Sequence, residues 1–325
     1  MATGTENDMI APSRVTEDVA GLDIADGYIT AARFKSTRRG GWELRNAGWV
    51  PYDSRLSDKE LVAKVRTLWR QCKIPTTTVC SCMRSRAFAF HYFKYAKVSK
   101  EELASALWLQ GEEMLQMPRK DIAIDWRLNR AEGNSRDPSG ETATEGILFA
   151  APLKAVEHHL EILEMAGLYP VILDVGSLAI GNLFLELRDG VVAPETLCLM
   201  NLSDHVADVV IFRNCEWIYP HTIVFCTATW EQSMAYLCES VNDVLKYYQY
   251  KLRQEPVTRL VITGRIPAPE QLPAILQKGT GLPTEIWNPL PWLKVGVSGL
   301  ARQLASDPHV GPLLATSLGL AMRRD

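Results

Sequence analysis

One segment of this chain is written twice. Asp23-Ile24-Ala25-Asp26-Gly27-Tyr28-Ile29-Thr30-Ala31-Ala32-Arg33-Phe34-Lys35 aligns without gaps on Asn201-Leu202-Ser203-Asp204-His205-Val206-Ala207-Asp208-Val209-Val210-Ile211-Phe212-Arg213, an offset of 201 − 23 = 178. Each copy follows an apolar run, Val19 to Leu22 or Leu197 to Met200, and turns through small polar residues into a second run closing on Phe and a basic residue. The first then passes through Arg39-Gly40-Gly41 into Trp42-Glu43-Leu44, the second through Asn214-Cys215-Glu216 into Trp217-Ile218-Tyr219. Strand, polar turn, strand, tight turn, strand at that separation predicts two related halves of an α/β protein.

With 325 residues, 47% of them hydrophobic, the chain can bury a large core and has room for about two domains. A net charge of −3 gives no reason to expect nucleic acid. Of the seven Cys only Cys80 and Cys82 are close, on one face of a strand, with no second pair or His cluster to complete a zinc site. They read as buried thiols of a reducing cytoplasm. Met1 to Pro12 is polar and acidic, unlike a signal peptide. The most apolar stretch, Gly167 to Leu185, carries Pro170, Asp174, Gly176, Gly181 and Asn182, so it predicts a strand, Tyr169 to Leu173, and a buried helix rather than a span. The expectation is a soluble protein without direct membrane insertion.

Along the chain, 1–16 is expected to be a disordered tail, followed by the first meander. Ser57-Asp58-Lys59-Glu60 is a capping box opening a helix to about Gln71, and Thr76 to Cys82 is a β-branched strand. From Arg84 a different unit interrupts the core. Phe88, Phe90 and Tyr92 alternate on its first strand, and Ser99-Lys100-Glu101-Glu102 caps a helix carrying Leu103, Ala106, Leu107, Gln110 and Met114 on one face. Strands at Ile122 to Leu128 and Gly146 to Ala151 flank a polar hairpin tip, Ala131 to Glu145, and a helix Lys154 to Ala166 ends at Gly167. After the second meander come a helix from about Thr229 to Gln254, a strand Arg259 to Thr263, a helix Pro269 to Lys278, a strand Pro283 to Trp287, and a small-residue helix from Leu313 to Arg323 opened by Pro312. The division expected is 17–83 with 169–195 and 306–325 as the first core subdomain, 84–168 as an inserted interaction unit, and 196–305 as the second core subdomain.

These residues resemble the PilM family, cytoplasmic type IV pilus assembly proteins related to the cell-division protein FtsA. The resemblance runs from about Gly21 to Arg323. It rests on Gly21-Leu22-Asp23-Ile24, on Ser99 to Met117, on Glu164-Met165-Ala166-Gly167-Leu168-Tyr169-Pro170-Val171-Ile172-Leu173-Asp174-Val175, on Val241 to Gln249, on Leu260-Val261-Ile262-Thr263-Gly264 and on Ala315 to Arg323. It implies an actin-like fold (two ribonuclease-H-like halves) with a small inserted α+β subdomain. The short chain between Ile223 and Val241 implies a reduced outer subdomain in the second half.

In an actin-like ATPase the two polar turns are phosphate loops, whose glycines admit the anion and whose acids hold the metal. On that resemblance Asp23, Ala25, Asp26, Gly27, Asn201, Ser203, Asp204, Thr263 and Gly264 would form the nucleotide cleft. Ala25 and Asp26 stand where the family favours Gly and Ser or Thr, Asn201 stands in the acid position, Ser203 in the glycine position, and Arg265-Ile266-Pro267 follows Gly264 where the family has more Gly. Losing two hydrogen bonds to phosphate costs about 3 to 6 kcal/mol, roughly 10² to 10⁴ in affinity. The expectation is a degenerate cleft with no cofactor and no enzymatic activity; the alternative is a working actin-like ATPase holding ATP and Mg²⁺. A sugar-kinase-like enzyme would need a cleft acid, for which Asp23, Asp26, Asp204 and Asp208 are the candidates.

The resemblance further implies a scaffold at the inner-membrane face that captures the N-terminal cytoplasmic peptide of a single-span partner resembling PilN, together with an assembly ATPase, in a pilus or type II secretion-like platform. Phe88, Phe90, Tyr92 and Trp108 are the candidate wall of the peptide groove. His158 and His159, adjacent on a helix, point apart and read as solvated surface; Glu101-Glu102 and Glu112-Glu113 read as an exposed face. No metal site, nucleophile elbow or P-loop lysine motif is present.

Overall fold

The computed structural model describes residues 18–36, 42–53, 55–83, 87–96, 98–129, 143–187, 195–213, 216–225, 229–296, 304 and 306–323. The expected tail at 1–16, the Arg39-Gly40-Gly41 turn and the hairpin tip at 131–142 lie outside them.

The duplication is present down to its register. In the first half β1 (Ala20–Ile24) pairs antiparallel with β2 (Tyr28–Ser36), and β2 with β3 (Trp42–Pro51); β1 then pairs parallel with β4 (Thr78–Met83) and β4 with β8 (Tyr169–Val175), giving the order β3-β2-β1-β4-β8. In the second half β9 (Thr196–Leu202), β10 (Val206–Arg213), β11 (Glu216–Val224), β12 (Arg259–Gly264) and β13 (Thr284–Ile286) give β11-β10-β9-β12-β13 with the same parallel and antiparallel pairings. Asp23 faces Thr30 as Asn201 faces Asp208. A bulge falls between Arg33 and Phe34 in one sheet and between Ile211 and Phe212 in the other, again 212 − 34 = 178 apart. A bulge redirects a strand, so matching bulges give both sheets a bend at the same place.

Helix α1 (Asp58–Cys72) starts where Glu60 accepts from the Ser57 backbone N–H at 2.9 Å, and buries Leu61, Val62, Val65 and Leu68 against the outer face of the first sheet. Such a cap is worth about 1 kcal/mol. On the second half α5 (Trp230–Lys246), continued by a π turn at Tyr247–Lys251, takes the equivalent place with α6 (Leu272–Thr280), burying Leu237, Val241, Val244 and Leu276. The expected helix to Gln254 therefore ends sooner, its last turn widened. Only 225–229 separate β11 from α5, which leaves no length for an outer subdomain there.

Between the sheets lie α4 (Gly176–Glu186) and α8 (Ala315–Ala321), preceded by the short α7 (Val310–Leu313). Leu178, Ile180 and Phe184 of α4 and Leu314 and Leu318 of the C-terminal helices form one cluster with Phe34, Leu199, Val210 and Trp217 from both sheets. Small residues are required because the two helices touch through backbone: a Cβ on Gly319 would strike the Ala179 carbonyl. The helix expected from Leu313 to Arg323 is broken at Leu314 into these two pieces.

The inserted unit is a three-stranded sheet, β5 (Ala89–Ala96), β7 (Ala143–Pro152) and β6 (Ile122–Leu128) in the order β5-β7-β6, with α2 (Lys100–Leu115) on one face. Strand β7 begins at Ala143, so the polar tip is shorter than expected. Helix α3 (Leu153–Ala166), placed by sequence in the inserted unit, packs Ile162 and Leu163 into the cluster built by α1 and β1, and it stands before β8 in the chain as α6 stands before β13. His159 on α3 is a correction to the surface expectation: it is buried with a ring nitrogen 3.0 Å from the Ser81 hydroxyl, while His158 is exposed and 3.0 Å from Asp58. Cys80 and Cys82 are buried free thiols. Among the described residues no helix is long and apolar enough to cross a membrane.

Candidate functional site

The two duplicated turns meet where the halves join. Asp23 ends β1, buried, with the Cys82 thiol donating to its Oδ1 at 3.4 Å. Asn201 occupies the matching end of β9, also buried. Together with Ala25, Asp26, Ser203, His205 and Asp208 they surround a cavity of about 280 Å³. Gly27, Asp204, Thr263 and Gly264 do not line it. The Thr263 hydroxyl is turned inward, donating to the Pro312 carbonyl at 3.1 Å and the Trp287 carbonyl at 3.3 Å. Gly264 has φ of +90° and a Cβ there would strike the Leu202 carbonyl, so the loop is held by close backbone approach. Asp204 and Gly27 form the rim: with φ of +87° Gly27 lets the Asp204 carboxylate lie where its own Cβ would be. Arg265 then pairs with Asp204 Oδ2 at 2.9 Å.

Electrostatics oppose an anion here. Burial, reinforced by Asp23, Asp174 and Asp208, holds the Cys82 thiol pKa well above its ordinary value, and burial with Asp23, Asp208 and Asp204 does the same to Tyr28. The cavity is at the small end of the roughly 300 to 1,000 Å³ usual for ligand pockets, and Asp23, Asp26 and Asp208 bring three carboxylates to its walls. Among the described residues no group of three or more His, Cys, Asp or Glu is placed to hold a metal ion.

A second, larger cavity of about 1250 Å³ lies between the inserted sheet and the first core half. Strand β6 contributes Ala123 to Leu128, β8 contributes Ile172 to Val175, α4 contributes Leu178, Asn182 and Leu185, and Met322 and Arg323 close one end. Both strands are sheet edges. The opposite edge of the core sheet is occupied, the Leu44 N–H of β3 donating to Lys294 O at 2.8 Å and the Gly296 N–H to Leu44 O at 2.9 Å, and on the opposite strand of the inserted sheet β5 sets Phe90 edge-on to His221 of β11, centroids 6.3 Å apart. At the floor Arg323 Nε lies 3.1 Å from Asp174 Oδ2. Burial raises the Asp174 pKa, although Arg323 and the Val175 N–H pull it down.

Of the expected groove wall, Phe88 and Phe90 stand together, ring centroids 6.1 Å apart. Phe93 and Tyr95 of β5 pack with Leu103 and Leu107 under α2, whereas Phe90, with Phe88 just before the strand, packs partly buried on the central cluster between the halves. Tyr92 hydrogen-bonds Glu145, and Trp108, on α2, carries the Arg119 guanidinium 4.3 Å from its ring centroid. Of the four only Phe88 lines the larger cavity. The cavity instead takes Ala123 to Leu128 and Ile172 to Val175, which no sequence motif marks as a site.

No protein-family profile and no curated protein matches this sequence. Among solved structures the chain is similar to one described as "PilM-PilN type IV pilus biogenesis complex", with 16% identity and a TM-score of 0.75 over 94% of this chain and 98% of that one. It is also similar to the ethanolamine utilization protein EutJ from Carboxydothermus hydrogenoformans, with 8% identity and a TM-score of 0.49 over 93% and 88% of the two chains. A Bacteroides thetaiotaomicron protein with an actin-like ATPase fold gives 12% identity and 0.49 over 94% and 100%. The first likeness, spanning nearly all of both chains, establishes the fold: the duplicated actin-like architecture with its inserted unit.

Proposed function

We propose that this protein is a non-enzymatic scaffold of a type IV pilus-like or type II secretion-like assembly platform. It works in the cytoplasm, recruited to the inner membrane by capturing the N-terminal cytoplasmic peptide of a PilN-like single-span partner. The observation that carries this reading is the pair of open strand edges, β6 and β8, facing one cleft of about 1250 Å³. An extended peptide gains main-chain hydrogen bonds at such an edge, while side-chain pockets read alternate residues. Ala123, Ala151, Leu178 and Leu185 supply apolar surface to those pockets, and Asp174, Arg323 and Asn182 supply polar contacts. The fold shared with a chain of a PilM-PilN complex supports the same partner class.

The smaller cavity supports the complementary half of the reading, that nucleotide is not used. Its size, its carboxylates and the inward-turned Thr263 remove the features a triphosphate needs. Calorimetry against synthetic N-terminal peptides of inner-membrane partners tests the scaffold. Saturable binding that Ala123→Trp abolishes is the expected result, and binding indifferent to that substitution would place the peptide elsewhere.

A further inference from the structure

The seam between the two halves is fastened unevenly. Within each half the turns are tightly bonded: the Tyr52 hydroxyl donates to Ala25 O at 2.7 Å, the Ser203 N–H to Val206 O at 2.8 Å and the Arg265 N–H to Leu202 O at 2.7 Å. Across the seam the bonds are long, from the Asp204 N–H to Asp26 O at 3.4 Å, from the Tyr28 hydroxyl to Leu202 O at 3.3 Å and from Arg265 Nη1 to Gly27 O at 3.5 Å. Bonds of that length are at the weak end of the range. Two firm turns are thus joined by marginal contacts, with a cavity immediately behind them.

We propose that Asp204 and Arg265 form an ionic latch that holds this cavity shut by clasping Gly27, and that the two turns part when the pair is broken. Asp204 and Arg265 both belong to the second half and are 37% and 43% exposed, so solvent and salt reach the pair. Gly27 belongs to the first half, and its missing side chain is the seat into which the Asp204 carboxylate fits. Arg265 neutralises Asp204 next to Asp26, and next to Asp23 and Asp208, which also raise the Tyr28 pKa. Without Arg265 the Asp204 carboxylate loses the partner that holds it in the Gly27 seat and the bond to Gly27 O is lost, which leaves the turns joined by the two other long contacts.

Cys82 reports the motion. It lines the cavity behind the latch and is buried. Alkylation by N-ethylmaleimide at fixed pH, read peptide by peptide by mass spectrometry, therefore measures opening. Cys198, buried in the second core, serves as the reference for loosening of the whole fold. Arg265→Ala is expected to speed Cys82 labelling about two- to fivefold while Cys198 is unchanged. Raising KCl should speed Cys82 labelling in the wild type and have no effect in Arg265→Ala. Unchanged Cys82 labelling in the variant, equal acceleration of Cys82 and Cys198, or a salt response retained without Arg265 would each overturn the latch. If Arg265→Ala does not fold, the wild-type salt series decides alone: a Cys82 rate independent of KCl rejects the proposal.

Discussion

The two cavities of this molecule share residues of the first core sheet and differ in size and in the main chain they present. The one at the seam, about 280 Å³, is walled by the two duplicated turns with Asp23, Asp26 and Asp208; the one beside the inserted unit, about 1250 Å³, is walled by two strand edges, apolar side chains and charged residues of both signs. Met83, at the end of β4, touches both. What separates them is where unsatisfied main chain remains. At the seam the backbone groups of the turns are already bonded to each other, so a ligand would have to compete with them. Along β6 and β8 an incoming strand would bond groups that have no strand beside them.

Filling the larger cleft should break the contrast most severely. Ala123→Trp places an indole among Ala151, Asp174 and Leu178, and peptide affinity by calorimetry should fall at least about a thousandfold, roughly 4 kcal/mol, with the fold intact by circular dichroism. Next in size is a pair of glycine substitutions at the seam. Gly264→Ala meets backbone that cannot retreat and should lose about 2 to 4 kcal/mol in urea denaturation, whereas Gly27→Ala meets a movable Asp204 side chain and should lose about 1 to 2. Equal losses would mean that Asp204 is as firmly held as the Leu202 carbonyl.

Asp174 sharpens the comparison from the cleft floor. Its folded carboxyl holds its proton more tightly than the unfolded one, so its contribution to stability diminishes as pH rises above the ordinary 3.8 towards the raised value. Asp174→Asn removes that slope, and the variant should gain on the wild type across this window and run parallel to it at higher pH. Denaturation curves that stay parallel throughout would show that Arg323 fully compensates the burial. The smallest effect concerns nucleotide. A micromolar site at millimolar MgATP would add about 4 kcal/mol and raise the melting temperature by many degrees. The expected rise is under about 1 °C.

Much of the fold is legible in the sequence because repetition and capping are local signals. The 178-residue offset fixes two equal meanders, and Ser57 with Glu60 and Ser99 with Glu102 mark helix starts that the structure reproduces. Periodicity says less about β5, whose Phe88-Phe90-Tyr92 stripe and Phe93-Tyr95 pair are both aromatic; which face meets α2 depends on packing between distant segments. His159 was unreadable for the same reason, since Ser81 lies 78 residues away. At the seam the residue types were legible but their pairing was not. Asp204 adds a negative charge in sequence, yet Arg265, 61 residues on, cancels it in space.

The Lys294–Gly296 segment that seals the rim of β3 has a wider consequence. It shields one margin of the first sheet from other chains, while β8, like β6, is left raw inside a recess. Bare margins invite strand-to-strand sticking between copies. On the proposed function a bound peptide would act as a cap as well as a tether, and cells making this protein without such a partner should accumulate more of it in inclusion bodies.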